Sequence, residues 1–361
     1  MALLLLTNQL HTGGAETYVV TVANWLTAQG DPPVVAATPG GLIERLDTRV
    51  RYFPTPLKDL RASIPLAAWR VRKLVSRFRP TAVVANSMVT AWVARLAVGP
   101  RVPVIAVAHG WPADRYRYVA RPLAVADRVV AVSEDVRRRL IEAGLPERKV
   151  VVVPNGVDLG RFAPRDAATL RRAREACGAT SDDVLAISVG RFVDQKAQHH
   201  LVEIARRLKD AAPNLRVAIV GWGPREVELR AAIAAAGLQD RVRLLIDRKD
   251  VPDLLMASDL YVSTSDWEGM PLSTIEALAA GLAVVTTATE GVGALVDDSN
   301  GTVVPVAEVG AMTDAVRALV DDEVTRLGKG SASRARAAAS FSSDVMCAGL
   351  MRVVQSCSEP R

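Results

Sequence analysis

A chain of 361 residues is too long for one compact core and long enough for two domains; with 50% hydrophobic and 4% aromatic residues it is neither disordered nor fibrous. Its net charge of +6 is uneven: residues 1–170 hold 23 bases and 13 acids, residues 171–361 hold 22 and 26. The basic first part suits an anionic membrane face, nucleic acid or an acidic substrate, or else an Arg-rich surface of solvated charge.

The opening MALLLLT lacks a basic flank and is too short for a signal sequence or a spanning helix, and no later apolar run approaches bilayer length, so a cytoplasmic protein is expected, with peripheral contact at the inner membrane face as an option. Cys177, Cys347 and Cys357 have no metal-ligand spacing and read as reduced thiols.

Along the chain, short aliphatic runs alternate with amphipathic segments: LLLLT, GAETYVVTVANWLTAQG, PVVAAT, TAVVANS, VPVIAVAH, DRVVAVS and KVVVVPNGVD, then, after a polar Arg- and Ala-rich stretch, VLAISVGR, LRVAIVGWG, RVRLLI, DLYVSTS and LAVVTT. This rhythm predicts parallel βαβ units in two doubly wound domains, residues 1–165 and 166–341, with a last helix over 342–361 that could pack back toward the first domain. Ligands of such sheets bind beyond the carboxyl ends of the strands, which directs attention to the loops there.

After LLLLT, Gly13 and Gly14 open a helix whose N–H groups suit an anion. His109 ends another strand, as a hydrogen-bonding, titrating or simply structural residue. His199 and His200 are neighbours on a helix start, cannot share a metal on one face, and read as surface residues. After VLAISVG, Arg191 and Lys196 put two cations before a helix, a site for a diphosphate or a pair of solvated bases. In GWGPRE, Gly221 and Gly223 permit close backbone approach, but Glu226 stands where a dinucleotide fingerprint needs its third glycine. The chain has no Asp-x-Asp triplet and no His/Cys cluster, so protein cations, not a tightly held metal, are expected to offset anionic charge.

The stretch EGMPLSTIE sets Glu268 on a loop and Glu276 about a turn and a half into a helix that Pro271 opens and Gly281 ends. A helix end for a diphosphate and two carboxylates for vicinal hydroxyls would accommodate the ribose, diphosphate and hexose of a nucleotide sugar.

At these residues the chain resembles the retaining GT-B glycosyltransferases of family 4 (group 1) over nearly its whole length: GGAE, HG, VSEDVRRRL, VPNGVD, GRFVDQK, VGWGP and SDWEGMPLSTIEALAAGLAVVTT. The resemblance implies two Rossmann-like domains facing across a cleft, the first binding the acceptor and the second the donor. It implies that Glu276 binds the donor ribose, Glu268 faces the donor sugar, and Arg191 and Lys196 clamp the diphosphate with backbone of Gly269, Met270, Pro271 and Leu272 nearby. Gly221 and Gly223 fall to the nucleotide side, His109 is similar to the histidine near the sugar, and Gly13 with Gly14 to the loop over phosphate and acceptor. Asp247 stands where the family often has Gly, and Ala294 where it has Glu.

The implied activity is retaining, metal-independent and without a cofactor beyond the nucleotide-sugar donor: transfer of a hexose from a UDP-sugar, or next a GDP-sugar, to a hydroxyl, in envelope-glycan or natural-product biosynthesis. Residues 65–79, with Trp69, Arg70, Arg72, Lys73, Arg77 and Arg79 on a predicted helix, and a loop carrying Arg115 and Arg117, suggest a lipid-linked acceptor at an anionic membrane; a soluble acceptor is the alternative, and no nucleic acid is expected. A GT-B epimerase or phosphorylase would share the fold without the EGMPLSTIE arrangement, and a sugar-binding pseudoenzyme would have lost the clamp.

Overall fold

The computed structural model describes residues 2–11, 13–57 and 60–358. The chain divides into two units, one of residues 1–156 with 343–361 and one of residues 157–342.

In the first unit the order is β1 (Leu3–Gln9), α1 (Gly14–Ala28), β2 (Val34–Thr38), β3 (Arg51–Pro54), α2 (Leu60–Phe78), β4 (Ala82–Ala85), α3 (Met88–Val98), β5 (Val104–Ala108), α4 (Tyr116–Leu123), β6 (Arg128–Ala131), α5 (Glu134–Glu142) and β7 (Val150–Val152). All seven strands are parallel, in the order β3-β2-β1-β4-β5-β6-β7. Helices can cover both faces of such a sheet, which is why its central strands are continuous apolar runs; all five residues of β5 are buried.

The second unit runs α6 (Ala167–Ala176), β8 (Val184–Val189), α7 (Gln198–Arg207), β9 (Leu215–Gly221), α8 (Glu226–Ala235), β10 (Val242–Ile246), α9 (Val251–Met256), β11 (Leu260–Ser263), α10 (Leu272–Ala280), β12 (Ala283–Thr287), α11 (Val292–Leu295), β13 (Gly301–Val304), α12 (Val309–Asp321) and α13 (Glu323–Ser340). Its six strands are again parallel, ordered β10-β9-β8-β11-β12-β13. Val184, Leu201, Ile219, Leu260, Val285 and Met312 belong to one buried cluster.

Both sheets reverse their winding once, between β1 and β4 in the first and between β8 and β11 in the second. At such a switch point neighbouring loops diverge to opposite faces and leave a crevice at the carboxyl ends of the strands. The loops bearing Gly13, Lys196 and Glu268 therefore occupy the ligand positions of this topology.

The division falls at Gly156–Val157, ahead of the expected 165, because residues 157–165 are held by the second unit. Val157 N–H donates to Phe341 O at 2.9 Å, Phe162 is buried, and Arg165 pairs with Asp253 at 2.6 Å. The last helix, α14 (Ser343–Ser358), belongs to the first unit: Trp25 Nε1 donates to Asp344 at 2.7 Å, and a Cβ on Gly349 would lie 2.9 Å from Val153. Residues 359–361 of the expected terminal helix lie outside the described residues.

Three local expectations change. α2 starts at Leu60 and carries Pro65 inside it; the presumed Arg115–Arg117 loop is a short helical turn leading into α4; and Pro271 is the residue preceding α10, at φ −70° and ψ 118°, so the chain is still extended there. Gly281 does end α10, in the left-handed region at φ +80°.

Candidate functional site

In the second unit, the loop after β8 and the loop after β11 are tied together by charge. Lys196 Nζ pairs with Glu268 Oε1, and Ser265 Oγ donates to the same oxygen at 2.8 Å. Gln195 Nε2 donates to Trp267 O at 2.9 Å, and Asp266 N–H donates back to Gln195 O at 2.8 Å. Glu268 is only 7% exposed, so its charge rests on these partners; a buried ion left without its counter-ion costs about 3–5 kcal/mol. Gly190 makes the approach possible, since a Cβ there would lie 3.2 Å from Lys196 Cε.

The turn that presents Lys196 is shaped just as closely. Ala197, buried, sits in the left-handed region at φ +44°, where a side chain costs about 1–2 kcal/mol. Thr264 Oγ1 is 3.0 Å from both Lys196 O and Ala197 O, and Gln198 Nε2 donates to Arg191 O at 2.9 Å. The Arg191 side chain is exposed, and its guanidinium has no ion-pair or hydrogen-bond partner among the described residues. One cation is thus engaged with a carboxylate and the other is free to meet an incoming anion.

α10 begins after Pro271 without a side-chain cap, whereas α3, α5, α6 and α13 are capped by Ser87, Ser133, Asp166 and Asp322. Its first-turn N–H groups and positive dipole end therefore follow directly on the Glu268–Gly269 loop. Gly269, Met270 and Pro271 are buried and Leu272 is partly so. A Cβ on Gly291, at φ +73°, would lie 2.2 Å from Gly269 O, so that loop packs tightly against this one. Further along α10, Arg161 Nη1 lies 3.8 Å from Glu276 Oε1.

The glycines of GWGPRE do permit close backbone approach, here by a neighbouring loop. A Cβ on Gly221 would lie 1.9 Å from Gly190 O, and one on Gly223 would lie 2.4 Å from Phe192 O, so their space is taken by the 190–192 loop. Asp247 N–H donates to Gly221 O at 3.1 Å, and Asp247 is left-handed at φ +49°, a conformation Asp tolerates better than most residues.

The first unit assembles a neutral network at its own switch point. His109 Nε2 is 2.7 Å from Asn86 Oδ1, and Asn86 Nδ2 reaches Ala15 O at 2.7 Å and Thr7 Oγ1 at 3.4 Å. The Tyr18 ring meets the imidazole edge-on, centroids 5.3 Å apart and planes at 77°. Burial drives the His109 pKa down from 6.5 to about 4 and pushes the Tyr18 phenol well up. Gly13 precedes α1 without a side-chain cap, but a Cβ on it would lie 2.3 Å from Glu16 Oε2: a carboxylate of the same helix already sits at this N-terminus. Gly14 follows as the first residue of α1.

His199 and His200 lie in the first turn of α7 with ring centroids 4.1 Å apart; the His200 pKa is lowered, by burial first and by His199 second. Among the described residues, no group of three or more His, Cys, Asp or Glu is arranged to hold a metal. Asn86, Gln195, Thr264, Ser265 and Arg161 were not anticipated. The signal was available for four of them: Asn86, Thr264 and Ser265 directly follow apolar strands, and Gln195 adjoins Lys196. Arg161, far from Glu276 in sequence, gave none.

Comparison with known proteins matches residues 171–338 to a family model described as "Glycosyl transferases group 1" and residues 12–161 to one described as "Glycosyltransferase Family 4". The chain is 27% identical over 325 residues, 83% of its length and 82% of the relative's, to the Escherichia coli UDP-Gal:alpha-D-GlcNAc-diphosphoundecaprenol alpha-1,3-galactosyltransferase. It is 32% identical to D-inositol 3-phosphate glycosyltransferase of Kineococcus radiotolerans, over 63% of this chain and 56% of that one. In fold it is similar to Anabaena HepE, whose structure is in complex with UDP-glucose, with a TM-score of 0.87, 21% identity and coverage of 99% and 100%. With the two models together taking in most of the sequence and two parallel Rossmann-like sheets beneath them, the chain belongs to the group 1, family 4 glycosyltransferases of GT-B fold.

Proposed function

We propose that this glycosyltransferase takes a hexose from a nucleoside-diphosphate sugar, a UDP-sugar before a GDP-sugar, and passes it to an acceptor hydroxyl with retention of anomeric configuration. The observation that carries this reading is the convergence, at the second unit's switch point, of an unpartnered Arg191, the Lys196–Glu268 pair and the uncapped start of α10. Positive groups fixed in advance around a leaving diphosphate lower the barrier without reorganising at the moment of reaction. Arg191, Lys196 and the first-turn N–H groups of α10 take that role, Glu268 meets sugar hydroxyls, and Glu276 takes the ribose diol. The similarity to HepE, solved with UDP-glucose, and to a UDP-Gal-dependent relative supports the choice of UDP.

In the transfer, the C1–O bond to the diphosphate breaks and a bond from C1 to the acceptor oxygen forms on the same face. The acceptor proton passes to the departing phosphate oxygen, so the chain needs no strong base of its own. With protein cations offsetting the diphosphate charge, the reaction is written without a metal.

For the acceptor, we infer a hydroxyl on a lipid-linked or otherwise anionic carrier met at a membrane surface. α2 supports this: Trp69 and Leu66 are exposed, Lys73 Nζ lies 3.6 Å from the Trp69 ring centroid, and Arg72, Lys73, Ser76 and Arg77 line a hollow beside Trp69. No helix of the described chain is long and apolar enough to cross a membrane. Calorimetric titration with UDP-glucose, UDP-galactose and GDP-mannose, and the anomeric configuration of the product by NMR, test the donor half; absence of any nucleotide binding removes it. Sedimentation with anionic vesicles at low salt tests the acceptor half, and no binding returns the choice to a soluble acceptor.

A further inference from the structure

Of the polar groups at the two switch points, Asn86 is the one whose chemistry dictates the state of a neighbour. Its Nδ2 faces Ala15 O at 2.7 Å and Thr7 Oγ1 at 3.4 Å. A carbonyl can only accept, so the amide nitrogen must be on that side; turned over, the side chain would set two oxygens against each other. Oδ1 therefore points the other way, 2.7 Å from His109 Nε2, and an amide oxygen also can only accept. The proton between them has to belong to the histidine.

We infer that Asn86 is a positioning residue that holds His109 as the neutral Nε2–H tautomer and so presents Nδ1 as a bare hydrogen-bond acceptor. Burial supports the neutral state, with a pKa near 4, and the Tyr18 ring standing edge-on confines the imidazole. Nδ1 has no partner among the described residues. A bare ring nitrogen accepts from O–H or N–H and repels carboxylate and phosphate oxygens. The substrate group that meets His109 is therefore a hydroxyl, of the sugar or of the acceptor, and not the diphosphate. This last step rests on the glycosyl-transfer reading; the tautomer does not.

The test is the imidazole 15N spectrum of the full-length, histidine-labelled protein at neutral pH, with the His109 signals identified by their loss in His109→Gln. The expected result is a protonated Nε2 and an unprotonated Nδ1. In Asn86→Ala the two tautomers should mix, with turnover falling roughly tenfold to a hundredfold while donor KM holds, the range for partners that orient a histidine. Asn86→Asp, which keeps an acceptor oxygen and adds a charge, should retain the Nε2–H tautomer and move the titration upward, so the inference stays open to test even if the alanine variant folds poorly. A protonated Nδ1 in the wild type, or an unchanged tautomer in Asn86→Ala, overturns it. If the spectra follow the inference while Asn86→Ala and His109→Gln both turn over like wild type, the tautomer stands and the role of His109 in transfer falls.

Discussion

The two units solve the same topological problem with opposite chemistry. At the first unit's switch point an amide, an imidazole and a phenol ring pack together with no salt bridge among them, and the α1 N-terminus is met by its own Glu16. At the second unit's switch point charges join the neutral polar groups: Lys196 against Glu268, the Arg191 guanidinium unpartnered, and an uncapped helix start. A neutral network discriminates hydroxyls by direction; a charged one favours an anion by field. The proposed division between an acceptor unit and a donor unit rests on that difference, and it can be tested residue by residue.

The largest effect is expected at Lys196. Lys196→Ala removes the counter-ion of a carboxylate that is 7% exposed, so stability should fall by about 3 kcal/mol or more in addition to a loss of turnover of about 10²–10³-fold. Urea unfolding read separately from the activity assay divides the two effects. Replacing both partners, Lys196→Met with Glu268→Gln, should restore stability and not turnover; recovery of turnover would mean that the pair is architectural.

Arg191→Ala gives the complementary result. The side chain is exposed and unpartnered, so unfolding should move by less than about 0.5 kcal/mol, while kcat drops by about 10²-fold, near 3 kcal/mol of transition-state stabilisation. Wild-type kcat in this variant would take Arg191 out of the clamp and leave the charge of the second unit to Lys196 and α10.

In the first unit the corresponding lever is pH. The folded His109 pKa, about 4, lies below its ordinary 6.5, so the unfolded chain binds the proton more readily. Stability is then fully present above about pH 6.5 and is lost as pH falls toward 4, by as much as roughly 3 kcal/mol. His109→Gln should lose less over the same interval, and the difference between the two unfolding curves isolates the histidine from the titrating carboxylates. Parallel curves would mean that the ring is charged or solvated in the folded protein.

Much of this was legible in the sequence because parallel strands buried on both faces write themselves as apolar runs, and the loops after them as polar breaks. LLLLT, VLAISVG and DLYVSTS marked strands whose following loops bear Gly13, Lys196 and Glu268, but that these loops flank the two switch points follows only from the strand order. Arg191, Lys196 and Glu268 were readable since each is a charge in a loop joining the carboxyl end of a strand to the next helix. β3 and β13 were missed: RYFP and GTVV are edge strands, only partly buried, and lack the continuous aliphatic run of the central strands. The pairing of Arg161 with Glu276 and the seating of Gly221 against Gly190 bring together residues 115 and 31 positions apart, and no local pattern encodes such contacts. Gly221 and Gly223 show the same limit: glycine announces a close approach but not what approaches.

The smallest expected effect tests how strictly the second unit is arranged for anions. Asp247 is an exposed carboxylate at the end of β10, bonded through its N–H to Gly221 O and held at φ +49°. Glycine adopts that conformation freely, while its gain is offset by the greater freedom it gives the unfolded chain, so Asp247→Gly should stabilise the protein by only about 0.5 kcal/mol. The charge is the sharper readout. If Asp247 borders the bound nucleotide, its removal should tighten UDP binding by a few-fold at low salt, and the gain should shrink as salt screens it. A gain in stability with unchanged UDP affinity would set Asp247 apart from the nucleotide, and the anion site would then be confined to the loops after β8 and β11.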